Sequence, residues 1–433
     1  TVNSSLVGEA YNSIMANTQC TAAAIYAYGN VGGFDGSALK ITDNALLSAT
    51  AGRSNAMGIY AGGTLTLDNA GSIYARAEFM MDENHEHIMP EEHSNGMYVD
   101  DDFGGLAFGI LNKGGMNVVN SGEIEAVCWS QYQEQPTGYG YAIASGSYAY
   151  DSELEKYVFV ADASGMVDVV NNSGSLKGSV HLGAGNDLLV NSGSITGDVF
   201  MGEGDDVIHL SGGVVSGNID MGEGNDTLTM DASCKVNGTI ANVENLVFNA
   251  MSSAENYGVI TVNGRLDVAG FTLDVRAQKS SDLMVAGLVV ENGISFTAED
   301  ATVTLAFNDR LVDFADPGSN RLAFVANVDE STFAGVTFEL HDWKNTSFAS
   351  VQYGDAAAEL FGEGYGWWQF EIQEGTLVLQ GYSDETVAAA SFNFSDFDGI
   401  DNDLSLGGSL DSDWLVNDKN KNGLDGKLSG FLA

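Results

Sequence analysis

The stretch Val169–Met230 decides the fold, because it contains three overlapping copies of one unit: VVNNSGSLKGSVHLGAGNDLLV, LVNSGSITGDVFMGEGDDVIHL and HLSGGVVSGNIDMGEGNDTLTM. Glycines mark three turns in each copy, and each turn recurs after 19 or 20 residues. These are Gly174, Gly193 and Gly213 at the first turn, Gly178, Gly197 and Gly217 at the second, and the pairs Gly183/Gly185, Gly202/Gly204 and Gly222/Gly224 at the third. A repeat of this length indicates units that stack on one another.

The runs between the glycines are strands by their pattern. Ser179–Leu182 and Asp198–Met201 are too short for helices, and their apolar residues alternate with polar ones. A unit with three short strands and three turns is one circuit of a parallel β-solenoid, an all-β fold. The side chains predicted to point inward are Val180, Leu182, Val199, Met201, Ile219 and Met221.

The same first turn occurs earlier, at Asn69–Ile73 and Asn120–Ile124, so we expect the solenoid to occupy residues 1–250. The long intervals predict two inserted loops, 78–105 and 129–160. Residues 251–382 are predicted to continue the solenoid irregularly and to end in a β cap, with a hairpin carrying Trp367 and Trp368, because an open end exposes core. Residues 383–433 form an acidic segment, either a linker or a calcium loop.

Composition limits the function. There are 60 Asp and Glu against 16 Lys and Arg, a net charge of −44, which makes nucleic acid an improbable partner and favours divalent cations as counter-ions. With 44% hydrophobic residues the chain has enough apolar material to fold, which argues against disorder. No apolar run reaches the roughly 18 residues of a membrane-spanning segment.

The third turn carries the most informative motif, Gly183-Ala184-Gly185-Asn186-Asp187, repeated from Gly202 and from Gly222. It resembles the calcium-binding nonapeptide of RTX β-rolls, with the first glycine of that motif replaced by Leu or Met. The resemblance implies Ca²⁺ ligands from the turn, with carboxylates at the matching positions, namely Asp187, Asp206 and Asp226.

Spacing supports this prediction. Turns in register bring like charges about 4.8 Å apart, with Glu203, Asp205 and Glu223 nearby, so bound calcium would relieve repulsion. The alternative is an ordinary Gly-Asp turn with solvated acids.

Two further metal candidates are weaker. Asp418, Asn420 and Asn422, followed by Gly423, match the first half of an EF-hand loop, although Ser429 stands where a bidentate Glu is expected. His85-Glu86-His87 could share a transition metal, although an acidic loop contains histidines by chance.

No catalytic motif is present in the sequence, so we expect no enzyme; the alternative is a polysaccharide-degrading β-helix. The run from Asn172 to Gly213 is similar to passenger domains of bacterial autotransporters and related adhesins. That resemblance implies a right-handed β-solenoid, located extracellularly or at the bacterial cell surface, and a role in adhesion or biofilm.

Two functional hypotheses remain open. In the first, the loops 78–105 and 129–160 bind a host or matrix ligand, and tyrosines such as Tyr139, Tyr141 and Tyr148 supply contact area. In the second, copies of the chain assemble into a fibre or surface layer through strand addition by their termini.

Overall fold

The computed structural model describes residues 2, 6–11, 22–32, 38–52, 55–79, 106–130, 135–151, 156–231, 233–249, 251–253, 256–257, 259–275, 286–307, 321–341, 347–353 and 367–382. The fold is all-β and built from three long sheets whose strands are parallel over most of their length. Among the described residues, no helix is long and apolar enough to cross a membrane. The candidate ligands His85 and His87, and the candidate loop with Asp418, Asn420 and Asn422, lie outside the described residues.

Sheet 1 begins each circuit. In spatial order its strands are β1 (Leu6–Tyr11), β4 (Leu46–Gly52), β7 (Ser72–Phe79), β10 (Glu123–Ser130), β15 (Ser175–Lys177), β18 (Ser194–Ile195), β21 (Val214–Val215), β24 (Lys235–Val236), β29 (Ile260–Val262), β32 (Leu288–Val290), β35 (Arg321–Ala326), β39 (Thr376–Tyr382) and β38 (Trp367–Gln373), with β11 (Gln135–Tyr139) beside β10.

Sheet 2 follows sheet 1 along the chain. Its strands are β2 (Ala22–Ala27), β5 (Ala56–Ala61), β8 (Ala107–Asn112), β12 (Tyr141–Asp151), β16 (Ser179–Ala184), β19 (Val199–Glu203), β22 (Ile219–Glu223), β25 (Ile240–Ala241), β30 (Leu266–Val268) and β33 (Ile294–Phe296), with β13 (Lys156–Ala161) beside β12.

Sheet 3 completes each circuit. Its strands are β3 (Leu39–Ile41), β6 (Leu65–Asn69), β9 (Met116–Asn120), β14 (Val169–Asn172), β17 (Leu188–Asn191), β20 (Val207–Leu210), β23 (Thr227–Asp231), β26 (Asn245–Asn249), β31 (Gly270–Val275), β34 (Thr302–Phe307), β36 (Thr337–His341) and β37 (Ser347–Gln352). A small separate hairpin joins β27 (Met251–Ser253) to β28 (Asn256–Tyr257).

The chain visits the three sheets in rotation, and we call one such passage a circuit. In the repeats of Val169–Met230, each strand pairs in parallel with its equivalent one circuit later, as in Val180↔Val199↔Ile219. The six side chains predicted to point inward are all at most 1% exposed and lie in one continuous core between the sheets. The prediction of stacked strands in this stretch is therefore confirmed.

The interval 129–160 differs from the predicted loop, because most of it is strand. β12 lies within sheet 2, and β13 pairs with it in an antiparallel hairpin. The ring centroid of Phe159 lies 5.9 Å from that of Phe108 and 4.7 Å from that of Tyr141. Apolar contacts on the outer face of sheet 2 thus hold this segment in place. Of the other interval, Glu78 and Phe79 end β7, and residues 80–105 lie outside the described part.

At the far end, the predicted hairpin is present: β38 and β39 are antiparallel, and β39 pairs with β35. Sheet 3 ends in a similar way, since β37 runs antiparallel to β36. The parallel stacking continues well beyond residue 250, through β34 and β36.

Candidate metal site at the third turn

The third turn, which leads from sheet 2 to sheet 3, stacks in register along the molecule. Gly183 is paired with Gly202, and Gly202 with Gly222, one circuit apart. All three have positive φ, from 94° to 119°, a region that favours glycine. A Cβ on Gly202 would overlap the carbonyl oxygen of Gly183. The turns therefore lie one above another, as the spacing predicts.

The second glycine of each pair is equally confined. Gly185, Gly204 and Gly224 have φ values of 149°, 132° and 153°. A Cβ on Gly204 would overlap the carbonyl oxygen of Gly185, and a Cβ on Gly224 that of Gly204. The N–H of Gly204 donates to the carbonyl of Glu223 at 2.8 Å. Close stacking of the turns is thus enough to account for all six glycines, with no need for a bound ion.

The acidic side chains predicted as calcium ligands point into the protein. Asp187, Asp206 and Asp226 are at most 1% exposed. In each carboxylate Oδ1 accepts a hydrogen bond from a backbone N–H of the preceding circuit, with the donors Asp168, Asp187 and Asp206 at 2.7, 2.7 and 2.8 Å. These side chains connect adjacent circuits.

The column is longer than the motif. Asp168, which is fully buried, accepts the N–H of Met116 at 2.7 Å in the same way. At the other end, Glu244 Oε2 accepts the N–H of Asp226 at 2.9 Å. We call Asp168, Asp187, Asp206 and Asp226 the aspartate ladder. Sequence reasoning missed Asp168, although the spacing Asp-x-x-x-Asn, shared by Asp168 and Asp187, was a usable signal.

The second carboxylate oxygen, Oδ2, of every member of the aspartate ladder is buried and has no hydrogen-bond partner. Because burial disfavours the ionised form, it raises the pKa of Asp168 to about 6 and the pKa values of Asp187 and Asp206 to about 7. Burial also raises the pKa of Asp226. Neighbouring carboxylates add to the shift in Asp187 and Asp206. At and below neutral pH, protons on Asp187 and Asp206 are the simplest way to neutralise these two carboxyl groups.

A second buried column lies at the opposite end of the sheet 3 strands. Asn69 Nδ2 donates to Asn120 Oδ1, Asn120 Nδ2 to Asn172 Oδ1, and Asn172 Nδ2 to Asn191 Oδ1, each at 2.7 Å. All four are at most 2% exposed. Sequence reasoning identified these asparagines only as part of the first turn. We call them the asparagine ladder.

The surface of the third turn carries a different set of acids. Glu203, Asp205 and Glu223 are exposed, and Glu203 and Glu223 are paired one circuit apart. Asp205 Oδ1 accepts the N–H of Asn225 at 3.0 Å, while the N–H of Asp205 donates to Asn186 Oδ1 at 3.1 Å. We call Glu203, Asp205 and Glu223 the outer acids.

The buried carboxylates do not fit an RTX-type calcium site. Calcium takes about six to eight oxygen ligands, whereas each ladder carboxylate has one oxygen already engaged by a backbone N–H. Within the described part of the chain, no group of three or more His, Cys, Asp or Glu side chains is placed to hold a metal ion. The alternative of solvated acids fits the outer acids but not the ladder. Calcium binding at the third turn stays a prediction.

Comparison with protein-family models, with curated proteins and with solved structures gives no match, so neither a family nor a relative adds to the site described above.

Proposed function

We propose that the three sheets close into a right-handed parallel β-solenoid with a C-terminal cap of antiparallel strands. The fixed rotation of the chain through the sheets supports this, because each strand returns to its own sheet one position further along. Parallel strands joined by a crossover connection are right-handed in about 98% of cases. The antiparallel strands β37, β38 and β39 supply the cap.

The function that this architecture favours is structural: an extracellular or cell-surface protein of bacterial origin that mediates adhesion. The observation that carries the proposal is the pair of buried ladders, in which polar side chains hydrogen-bond one circuit to the next. Such ladders make an elongated body rigid and present no reactive group to a ligand. The net charge of −44 keeps this body soluble and separate from other acidic surfaces.

An enzymatic role finds less support. Among the described residues, the acids with raised pKa values, the usual candidates for acid–base chemistry, are those of the aspartate ladder and Asp198. They are at most 6% exposed, so a polysaccharide chain has no access to them. Incubation with acidic polysaccharides should therefore leave the chain length of the polysaccharide unchanged.

The outer acids are the calcium site that we propose. Glu203 and Glu223 are exposed and paired one circuit apart, at a backbone spacing of about 4.8 Å, so their carboxylates repel one another. Ions bound between them would relieve that repulsion. With dissociation constants of about 0.1–1 mM, millimolar calcium stabilises the fold by on the order of 1 kcal/mol per site.

The calcium proposal is tested by urea unfolding in chelator, in about 5 mM Ca²⁺, which exceeds such dissociation constants, and in KCl of equal ionic strength. The double variant Glu203→Gln/Glu223→Gln should lose most of the calcium stabilisation. Glu299→Gln/Asp300→Asn removes two other exposed charges and should keep it. Equal calcium responses in both double variants, or an equal effect of KCl, would show general screening and not binding at the third turn.

Adhesion is tested by displaying the full chain on a non-adherent bacterium and counting cells retained on host-cell and matrix-coated surfaces. The proposal predicts retention above that of the undisplayed strain. Purified chain added in solution should compete for the same surface. Retention equal to that of the undisplayed strain on every surface would reject an adhesive role and leave a purely structural one.

A further inference from the structure

Three tyrosines meet on the outer face of sheet 2, at its first two strands. Tyr60 lies between Ile59 and Ala61, which belong to the main core, so its side chain is on the opposite face. Tyr26 is paired with Tyr60 one circuit away, and their rings are stacked, with 4.4 Å between centroids and 20° between planes. Tyr28 follows β2 directly, and its ring meets that of Tyr26 at 5.2 Å and 76°. We call Tyr26, Tyr28 and Tyr60 the tyrosine platform.

The platform rests on an apolar cluster outside the main core. Tyr60 is buried and belongs to a cluster with Phe108, Leu111 and Tyr141 on the outer face of sheet 2. Tyr148, which comes from β12, packs against the same cluster. The stacked pair of rings is therefore held from below by side chains of several circuits.

The backbone around Tyr28 is bound to the next circuit. The N–H of Gly62 donates to the carbonyl of Ala27 at 2.8 Å, and the N–H of Gly63 donates to the carbonyl of Gly29 at 3.1 Å. These two bonds lie on either side of Tyr28 and fix the position of its Cα atom. A ligand that contacts this ring therefore has little backbone ordering to offset.

The outer rings of the platform are open to solvent, although their backbone is held. Tyr26 is 42% exposed and Tyr28 is 86% exposed. A Cβ added at Gly29 would meet no atom within 4 Å, so the space beside Tyr28 is open as well. Rigid, exposed tyrosines of this kind are typical of contact residues, because each one combines a large apolar ring with a polar tip.

The platform is uncharged, although the chain as a whole is strongly acidic. Burial raises the pKa of Tyr26, and Tyr148, Tyr60 and Tyr28 add to that shift. Burial also raises the pKa of Tyr60, with further contributions from Tyr148 and Tyr28. The groups that influence these two phenols are thus other phenols, which are neutral at physiological pH. A net charge of −44 repels an acidic ligand, and a basic ligand would find its charge partners elsewhere on the surface.

We propose that the tyrosine platform binds a neutral glycan chain. This proposal rests on the adhesive function proposed above and names the class of ligand. An uncharged sugar ring has a flat face of C–H groups, which packs on an aromatic ring, and hydroxyl groups at its edge. A tyrosine hydroxyl both donates and accepts hydrogen bonds, so it can pair with those sugar hydroxyls. The angle between the rings of Tyr26 and Tyr28 forms a corner that contacts two sides of one sugar.

Affinity electrophoresis of the full chain tests the proposal. Native gels are cast with one neutral polysaccharide each (galactomannan, xyloglucan, mannan or dextran) or with acidic alginate. At least one neutral gel should retard the wild type, and the alginate gel should not. In the retarding gel, Tyr28→Ala should raise the apparent Kd at least about tenfold. Tyr28→Phe keeps the ring and should lose less affinity than Tyr28→Ala.

Tyr139→Ala is the matched control, because Tyr139 is an exposed tyrosine on β11, beside sheet 1, and its loss should leave the retardation unchanged. An unchanged urea midpoint in Tyr28→Ala shows that the variant is folded. No retardation of the wild type by any of the four neutral gels would overturn the proposal. An equal loss of affinity in Tyr139→Ala would overturn the assignment to the platform.

The retention assay with displayed cells separates this proposal from the adhesive function. If the purified chain binds a neutral polysaccharide through Tyr28 and displayed cells are not retained on any surface, adhesion fails and the glycan site stands. If Tyr28→Ala lowers retention on protein-coated surfaces and no neutral gel retards the wild type, the platform binds a protein and the glycan proposal is overturned.

Discussion

Replacing Asp206 by Asn removes one charge from the middle of the aspartate ladder and keeps its hydrogen bond. The oxygen of the asparagine side chain can still accept the N–H of Asp187, which is 2.7 Å from Asp206 Oδ1. The new amide group is uncharged where Asp206 has a buried oxygen without a partner. We therefore expect Asp206→Asn to stabilise the protein at neutral and alkaline pH.

The magnitude follows from linkage. Burial raises the pKa of Asp206 to about 7 in the folded protein, from 3.8. Between these values the folded state holds a proton that the unfolded state has lost, so stability falls as pH rises toward 7. At about 1.4 kcal/mol per pKa unit the full loss is on the order of 4 kcal/mol above pH 7. The variant avoids this loss, so its advantage should grow from near zero at about pH 4 to roughly 2–4 kcal/mol at pH 8.

The assay is urea unfolding in chelator at several pH values, followed by circular dichroism and by tryptophan fluorescence. Asp300→Asn is the control, because it removes an exposed charge outside the third turns and should leave stability nearly unchanged at every pH. Asp206→Ala is the opposite case. It leaves the N–H of Asp187 without an acceptor and should destabilise the protein by about 1–3 kcal/mol.

A result in which Asp206→Asn is less stable than the wild type at pH 8 in chelator would refute the reasoning. It would mean that the ionised carboxylate of Asp206 stabilises the folded state. If calcium then restored the wild type but not the variant, the ladder would be a metal site after all.

Three other predictions concern the same architecture and use the same unfolding assay. Asn120→Ala should cost about 2–4 kcal/mol, because it removes the 2.7 Å acceptor of Asn69 Nδ2 and the donor to Asn172 Oδ1, both of which are buried. A cost near zero would mean that the asparagine ladder contributes little. Gly202→Ala should cost more than about 2 kcal/mol, because the new Cβ overlaps a carbonyl oxygen and the backbone has positive φ. Gly212→Ala should cost only about 1 kcal/mol, because Gly212 has a φ of 112° but open space around it. Equal costs would contradict close stacking. Burial lowers the pKa of His181 to about 4, so the free energy of unfolding that this residue contributes falls as pH drops from about 6.5 to 4. His181→Phe should therefore remove that part of the acid sensitivity. An unchanged pH profile would contradict the buried, neutral state of His181.

The repeat and its core could be predicted from the sequence because both depend on local rules. Glycine at fixed spacing marks turns whose backbone excludes other residues, and alternation along each strand assigns the inward side chains. The positions of Val180 and Met221 follow directly from this. These rules hold wherever the repeat is regular, which is why they worked best between Val169 and Met230.

The direction of the third-turn acids could not be predicted in the same way. An aspartate after glycine in an acidic repeat is expected at the surface, and Asp205 is indeed exposed. Asp206, the next residue, is buried, because it lies directly before β20 of sheet 3 and its side chain points inward, toward an N–H of the adjacent circuit. Whether a carboxylate faces water or a neighbouring backbone depends on the stacked partner, which the single repeat does not contain.

The hairpin of β12 and β13 was missed for a related reason. Its tyrosines and its irregular spacing resemble an exposed loop, but Tyr141 is only 7% exposed, because Phe108 and Phe159 pack against it. Those contacts join residues far apart in the chain. Local alternation gave no sign of a second apolar layer on the outer face of sheet 2.

Cysteine cross-linking tests the central claim, that like turns of successive circuits lie directly above one another. Asn186 and Asp205 are exposed equivalents one circuit apart, which places their Cα atoms about 4.8 Å apart and within the roughly 7 Å limit for a disulfide. Asn186 and Asn225 are two circuits apart, or about 9.6 Å. Under mild oxidation Asn186→Cys/Asp205→Cys should form an intramolecular disulfide, mapped by mass spectrometry, and Asn186→Cys/Asn225→Cys should not. Equal cross-linking of both pairs, or none in the first, would contradict the stacked register.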